Sequence, residues 1–186
     1  MKRFDFFPTP LPGLTLVQRK PIEDSRGFFS RFFCAEDFGR VGLTRPIAQM
    51  NHSLTHLKGS VRGMHFQYPP FAEDKFVSCV RGSIFDVAVD LRKESPTFLH
   101  WHGEILSADN QRSLLIPAGF AHGFQTLARD CELLYLHTMP YAHDCEGALH
   151  ALDPLLEIAW PLPIAEISER DRTHPMLNSQ FEGLTL

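Results

Sequence analysis

Three kinds of side chain in this 186-residue sequence could together move a proton. His65 stands in SVRGMHFQ (60–67), Tyr135 in the apolar run ELLYLH (132–137) and Asp171 in the polar ISERD (167–171). A proton-transfer histidine needs a partner that fixes its tautomer, an acid that returns a proton, and cations that hold the developing anion. Asp171 is of the first kind and Tyr135 of the second, while Arg62 and Lys75 flank His65 in sequence and are of the third. Each also has a plainer use, since strand tyrosines usually pack and basic side chains usually sit in solvent. Strand alternation puts Arg62 and His65 on opposite faces. Both reach one cavity only if the strand is irregular, and Gly63 is the place for a bulge. These residues alone define an acid/base site in a β-barrel and nothing finer.

His65 could instead hold a metal. Gly59-x5-His65 resembles the first motif of the cupin jelly rolls, and PAGFAH (117–122) matches the second, Pro-x-Gly-x-x-His. Metal-binding cupins usually place a second histidine two residues after the first. Here that position is Gln67, whose neutral, hard carbonyl is a poor ligand for a transition ion. His65, Glu73 and His122 remain as a three-ligand alternative. HWHGE (100–104) would place His100, His102 and Glu104 on one strand face, about 6.6 Å apart per pair. Alternating polar residues on an exposed strand look the same, and that plainer reading is preferred. His52, His56, His137, His143, His150 and His174 stand in polar or turn contexts and receive no role. The expectation is a site without metal or other cofactor.

The elements that must position these groups are mostly strands. Short β-branched or aromatic runs, punctuated by Gly, Pro and Asn, recur at roughly 8–12 residue spacing, the rhythm of a sandwich or barrel. They include LTLVQRK, RGFFSRFF, PIAQMNHSL, SVRGMHFQ, HWHGEIL, RSLLIP, HGFQTL and ELLYLHTM. KFVSCVRGSIFDVAVDL (75–91) reads as a hairpin turning near Arg81–Gly82. On its second half Phe85, Val87, Val89 and Leu91 share one face. Ile84, Asp86, Ala88 and Asp90 share the other, which either looks onto something polar or is a solvated outer face. AEDFGRVGL (35–43) is a short helix, and the tail from Asp153 reads as short helices or turns. The expected fold is all-β: a jelly-roll sandwich or barrel with a few short, mostly C-terminal helices, in a single domain over 1–186.

Composition agrees with an ordinary globular protein, 44% hydrophobic and 22% charged. A net charge of −4 weighs against nucleic acid as the main partner. No run approaches eighteen apolar residues, so no membrane span is expected. MKRFDFFPTPLPG carries Asp5 and three prolines where a signal peptide needs an apolar run. Cys34, Cys79, Cys131 and Cys145 form no C-x-x-C pair and read as reduced thiols. A cytoplasmic location is expected.

Nine stretches in order are more specific: DSRGFF, QMNHS, KGSVRGMHFQ, DKFVSCVRGSIFDVAVDLRKESPTF, LSADNQRSLLIPAGFAHGFQTL, LLYLHTMPY, EGAL, DPLLEIAWP and ISERD. Across nearly the whole chain they resemble the dTDP-4-dehydrorhamnose 3,5-epimerase family. The resemblance implies a metal-free cupin-like jelly roll, usually a homodimer, acting on a nucleotide sugar. It implies that His65 is the general base, removing a proton α to the 4-keto group at C3 and, if both centres invert, at C5. Asp171 would orient His65, Tyr135 would protonate the opposite face of the ring, and Lys75 would sit near the enolate oxygen. Arg62 and His122 would hold sugar and diphosphate. Arg26, Phe29, Gln49, Met50 and Asn51 fall at nucleotide-binding positions, in part supplied by a neighbouring subunit. Tyr141 falls where an aromatic stacks on the base, and Glu146 and Arg170 at further binding positions.

Two departures touch the nucleotide pocket. Arg31 stands where the family usually has a glutamate, and NHSLTHLKGSVRGMH (51–65) is one residue longer than usual. They favour, as an alternative, the same chemistry on another nucleotide or 4-keto sugar, with inversion at C3 only or at both centres. A non-catalytic sugar-binding jelly roll is the reading from another class. The set His65, Asp171, Tyr135 and Lys75 argues against it, because binding alone needs no base with an opposing acid.

Overall fold

The computed structural model describes residues 2–178 and 180–186. Its strand runs assemble into two facing sheets. The first has the order β1 (Phe4–Pro8), β2 (Thr15–Arg19), β10 (Arg112–Ile116), β7 (Lys75–Arg81), β12 (Cys131–His137) and β5 (Gln49–Thr55), antiparallel throughout. The second has β13 (Glu146–Ala148), β6 (Ser60–Gln67), β11 (Phe120–Thr126), β8 (Ser83–Asp90) and β9 (Trp101–Ser107), with β14 (Glu166–Ile167) parallel beside β6. A separate hairpin joins β3 (Ile22–Asp24) to β4 (Gly27–Phe29). The helices are short: α1 (Ala35–Gly39), a 3₁₀ turn at His143–Cys145 and α2 (Glu169–Arg172). This is the expected all-β, cupin-like architecture.

One expectation fails. The segment 75–91 is not a hairpin: β7 pairs with β10 and β12, whereas β8 pairs with β11 and β9. The chain instead crosses from one sheet to the other at Gly82, whose φ of +77° suits glycine. A Cβ there would come within 2.8 Å of the Cys131 sulfur. Two adjoining strands rich in apolar residues on both faces are read equally well as a hairpin or as a corner between sheets. Burial on both faces selects the corner, because each strand is central in its own sheet.

Strand alternation divides the apolar residues among three layers. Between the sheets lie Leu14, Val77, Cys79, Ile84, Ala88, Leu106, Leu133 and Phe120. Outside the first sheet, Phe38 of α1 packs edge-on against Phe4 and Phe76. Outside the second, Val61, Met64, Val87, Val89 and Leu91 are covered by Leu149, Leu156 and Leu184 of the C-terminal third. Both faces of β8 are therefore buried, and its Asp86/Asp90 face points inward, not to solvent. β1 had no counterpart in the sequence reading, its apolar residues being masked by the adjacent prolines.

Candidate active site

Towards one end of the roll, inward-facing positions change from apolar to polar. Along β12 the series runs Cys131, Leu133, Tyr135, His137, and along β7 it runs backwards from Cys79 through Val77 to Lys75. The result is a cavity of about 260 Å³ between the sheets. Asn51, Ser53, Lys75, Tyr135 and His137 line it from the first sheet, and Arg62, His65, His122 and Phe124 from the second.

The expected irregularity of β6 is present. His122 pairs with His65 but Phe124 pairs with Arg62, so three residues of β6 span what two residues of β11 span. This bulge reverses the alternation and brings Arg62 and His65 onto one wall. Gly63 has φ +122°, and a Cβ on it would lie 2.5 Å from the Gly123 Cα. Its N–H, turned out of the ladder, donates to the Asp171 carboxylate at 3.2 Å. The bulge thus helps place the aspartate as well as the histidine.

Asp171 arrives on α2, which is capped by Ser168: the Asp171 N–H donates to the serine hydroxyl at 3.0 Å. His65 Nε2 lies 2.8 Å from Asp171 Oδ1. An ionised carboxylate only accepts, so Nε2 carries the proton and Nδ1 is left as the basic nitrogen. Burial alone would raise the Asp171 pKa. The hydrogen bond and charge of His65, with the Gly63 and Ser168 bonds, outweigh burial and hold it below the ordinary carboxylate value.

Tyr135 enters from the opposing sheet, its hydroxyl 3.1 Å from Ser53 Oγ. Burial pushes its pKa well above the usual phenol range, against the bond to Ser53. The phenol therefore stays protonated. Lys75 is buried, with Nζ 3.3 Å from Glu73 and 3.2 Å from the His65 carbonyl to which it donates. His122 donates from Nε2 to buried Asp86 at 2.7 Å.

Glu73 is not a ligand beside His65 and His122: it binds Lys75 and accepts from His137 Nδ1 at 2.9 Å. Burial would raise its pKa, but His137 and Lys75 hold it below the ordinary value. His137, given no role in the sequence reading, is thus oriented by a carboxylate as His65 and His122 are. Its inward position two residues after Tyr135 was a signal that alternation could have supplied. The other residue passed over is His174, whose ring meets that of His65 edge-on at 6.0 Å. His102 bonds to Glu104 at 3.2 Å without His100, so the three form no chelate. His102 and Glu104 are half-buried opposite Ala88 and Asp86, however, and do not stand on an exposed strand face.

The remaining site residues divide. Gln49 accepts the Tyr141 N–H at 3.0 Å, and Tyr141 donates through its hydroxyl to Glu146 at 2.9 Å. Arg170 pairs with the same Glu146. Gln49, Tyr141 and Glu146, with Asn51 and Gln67, rim a second hollow beside His65 and Lys75. Met50 faces away, 66% exposed. Arg26 pairs with Asp24 on the β3–β4 hairpin, and Phe29 there is 63% exposed; neither lines the cavity of its own chain. Arg31 is exposed just beyond that hairpin.

A cupin-like roll with an oriented histidine, an ammonium and a neutral phenol around one cavity defines the class of a proton-transferring, acid/base enzyme. The family model described as dTDP-4-dehydrorhamnose 3,5-epimerase matches residues 8–179, and the chain belongs to that family. The protein of that name from Salmonella typhimurium is 42% identical over 172 residues, 91% of this chain and 93% of its own. The structure of dTDP-6-deoxy-D-glucose-3,5-epimerase from Legionella pneumophila in complex with dTDP-4-keto-L-rhamnose superposes with a TM-score of 0.90. It is 38% identical, covering 95% of this chain and 94% of that one. A 3'-monoepimerase from Streptomyces bikiniensis, in complex with dTDP-quinovose, superposes at 0.83 with 34% identity, covering 91% and 86%.

Proposed function

We infer that the chain inverts C3 and C5 of dTDP-4-dehydro-6-deoxy-D-glucose, giving dTDP-4-dehydro-L-rhamnose through enolate intermediates. The observation that carries this is the placement of His65 and Tyr135 on opposing sheets around one cavity. A sugar ring lying between the sheets meets a base at one face and an acid at the other. His65 Nδ1 removes the proton α to the 4-keto group, and the charge moves onto the ketone oxygen. The Lys75 ammonium stabilises that oxygen, as a fixed cation in a water-poor site does well. Tyr135 then protonates carbon from the far side, which inverts the centre. Solvent takes the proton from His65 and restores the one on Tyr135.

Arg62 and His122 hold the sugar and diphosphate, and Tyr141 stacks on the base beside Glu146 and Arg170. Gln49 and Asn51 complete the nucleotide pocket, and Arg26, Phe29 and Met50 serve a neighbouring copy's pocket in a homodimer. The chain works as one domain over 1–186, without a cofactor, in the cytoplasm. No helix among the described residues is long and apolar enough to cross a membrane.

Incubation with the dTDP-4-keto-6-deoxy sugar in D2O, followed by NMR, tests the assignment. Deuterium at both C3 and C5 with inverted configuration is expected. Incorporation at C3 alone would place the chain with the monoepimerases, and none at either carbon would overturn the reading.

A further inference from the structure

Histidine–carboxylate pairs recur around the cavity, but their surroundings differ. Glu73 holds His137 together with the Lys75 ammonium, so a metal cation is repelled there. His122 and Asp86 have no third ligating side chain among the described residues. The pair His65–Asp171 does have one, in His174. One ligating atom from each of His65, Asp171 and His174 lies within 4.8 Å of the other two.

We propose that His65 Nε2, the Asp171 carboxylate and His174 Nε2 form an inhibitory site for a divalent transition ion of the zinc type. Two imidazoles and one carboxylate with a fourth position open to a cavity are a normal zinc ligand set. Ligand atoms at tetrahedral zinc stand about 3.3 Å apart. Here His65 Nε2 and Asp171 Oδ1 are 2.8 Å apart, and His174 Nε2 and Asp171 Oδ1 are 3.6 Å apart. Small side-chain rotations supply the rest. His174 Nε2 is buried and has no hydrogen-bond partner, so it is already directed at the site with nothing to give up. Entry is through the hollow lined by His65, Asp171, Ser168 and Glu166. Of the arginines lining this hollow, Arg170 is paired with Glu146 and Arg62 has no ion-pair partner among the described residues; Arg172, next to Asp171 on α2, has none either.

Occupancy changes the chemistry of His65. A metal on Nε2 takes the place of the proton now shared with Asp171, and a neutral imidazole then carries its single proton on Nδ1. That nitrogen no longer has a lone pair for substrate. The proton moves from one ring nitrogen to the other through solvent, and none is released overall. This rests on His65 being the base, as proposed above. The nucleotide-binding walls are untouched, so the ion stops proton abstraction without expelling the nucleotide.

The test uses the full chain freed of metal by dialysis. Zn2+ should bind once per chain by calorimetry, and Co2+ should show the visible absorption of a low-coordinate nitrogen/oxygen site. Turnover and solvent deuterium exchange should fall together as Zn2+ is added, and return on chelation, while dTDP still binds. His174→Gln should raise the Zn2+ concentration for half-inhibition roughly tenfold or more, at least the loss typical of disturbing a metal ligand's partners. His65→Gln should independently lose the Co2+ spectrum, which covers the case of a poorly folded His174 variant. Zn2+ binding unaltered in both variants, or stoichiometric binding without inhibition of the wild type, overturns the proposal. The spectra stand without any sugar substrate, so they fail or succeed separately from the epimerase assignment.

Discussion

On the proposed assignment, His65 and Tyr135 make separable demands on the reaction, because one would open the carbon centre and the other close it. His65→Ala should abolish exchange and turnover together. Tyr135→Phe keeps the ring against His122 and His137 but removes the acid. Exchange at the first carbon should then continue while inversion falls about 10²–10⁴-fold, the usual contribution of a positioned acid. NMR gives both rates in one sample, and strict proportionality between the two would move the acid role to another group. Asp171→Asn should fall in rate by a similar order, about 10²–10⁴-fold, with little change in nucleotide affinity. Its folded-state pKa lies below the ordinary 3.8. The stabilisation from the ionised form is therefore complete above about pH 4 and lost as pH falls through the lowered value. The stability gap between wild type and Asp171→Asn should accordingly narrow in urea melts taken at about pH 3 compared with about pH 7. Residue types alone offered a candidate base and a candidate acid. That Asp171 meets His65 across more than a hundred residues followed only from the family resemblance, since no local spacing encodes a contact closed by a C-terminal helix.

The strands were legible because their period-two patterning is local; their partners were not. β5, β6 and β9 to β12 lie where the apolar runs place them, yet β7 and β8 belong to different sheets. Nothing within residues 75–91 distinguishes a corner from a hairpin turn; only the neighbours each strand acquires do. The β6 bulge could be read in advance because two needed side chains had the wrong parity and a glycine lay between them. That glycine supports a sharper expectation. At Gly63 a methyl group meets Gly123 Cα at 2.5 Å and the His122 carbonyl at 2.8 Å, in a backbone region with φ +122°. β6 must then move off β11, at a cost of about 1–3 kcal/mol for overpacking and a similar amount for the backbone. Gly63→Ala should lower the melting temperature and reduce turnover by more than the folded fraction explains. The same displacement separates the Gly63 N–H from Asp171 and tilts His65. Turnover that merely tracks the folded population would limit the bulge to a packing role.

The assembled chain leaves an apolar and aromatic surface unexplained by its own pocket. Phe28 and Phe29 are 62% and 63% exposed on a hairpin standing off both sheets, and Met50 projects from the open edge strand β5. Gln49 and Asn51 face the cavity of their own chain, whereas Arg26, Phe29 and Met50 do not. A dimer in which hairpin and edge strand meet a second copy would cover this surface and complete each nucleotide pocket in trans. Sedimentation should give a dimer at micromolar concentration. Phe29→Glu should shift it towards monomer and weaken dTDP binding together, while a monomeric wild type would sink the trans arrangement. Arg31, two residues beyond Phe29, then lies near the nucleotide of the partner subunit. At the position where the resemblance implies a glutamate, arginine reverses the charge and replaces an acceptor with a donor fork. A base contact made through that acid cannot persist, and a different edge of the base, or its phosphate, is favoured. Binding of dTDP, UDP, CDP and GDP to wild type and Arg31→Glu should differ in rank order, with the variant moving towards thymidine. An unchanged ranking would mean that the guanidinium points into solvent in the dimer as it does in the single chain, and base selection would then fall to Gln49, Asn51 and Tyr141.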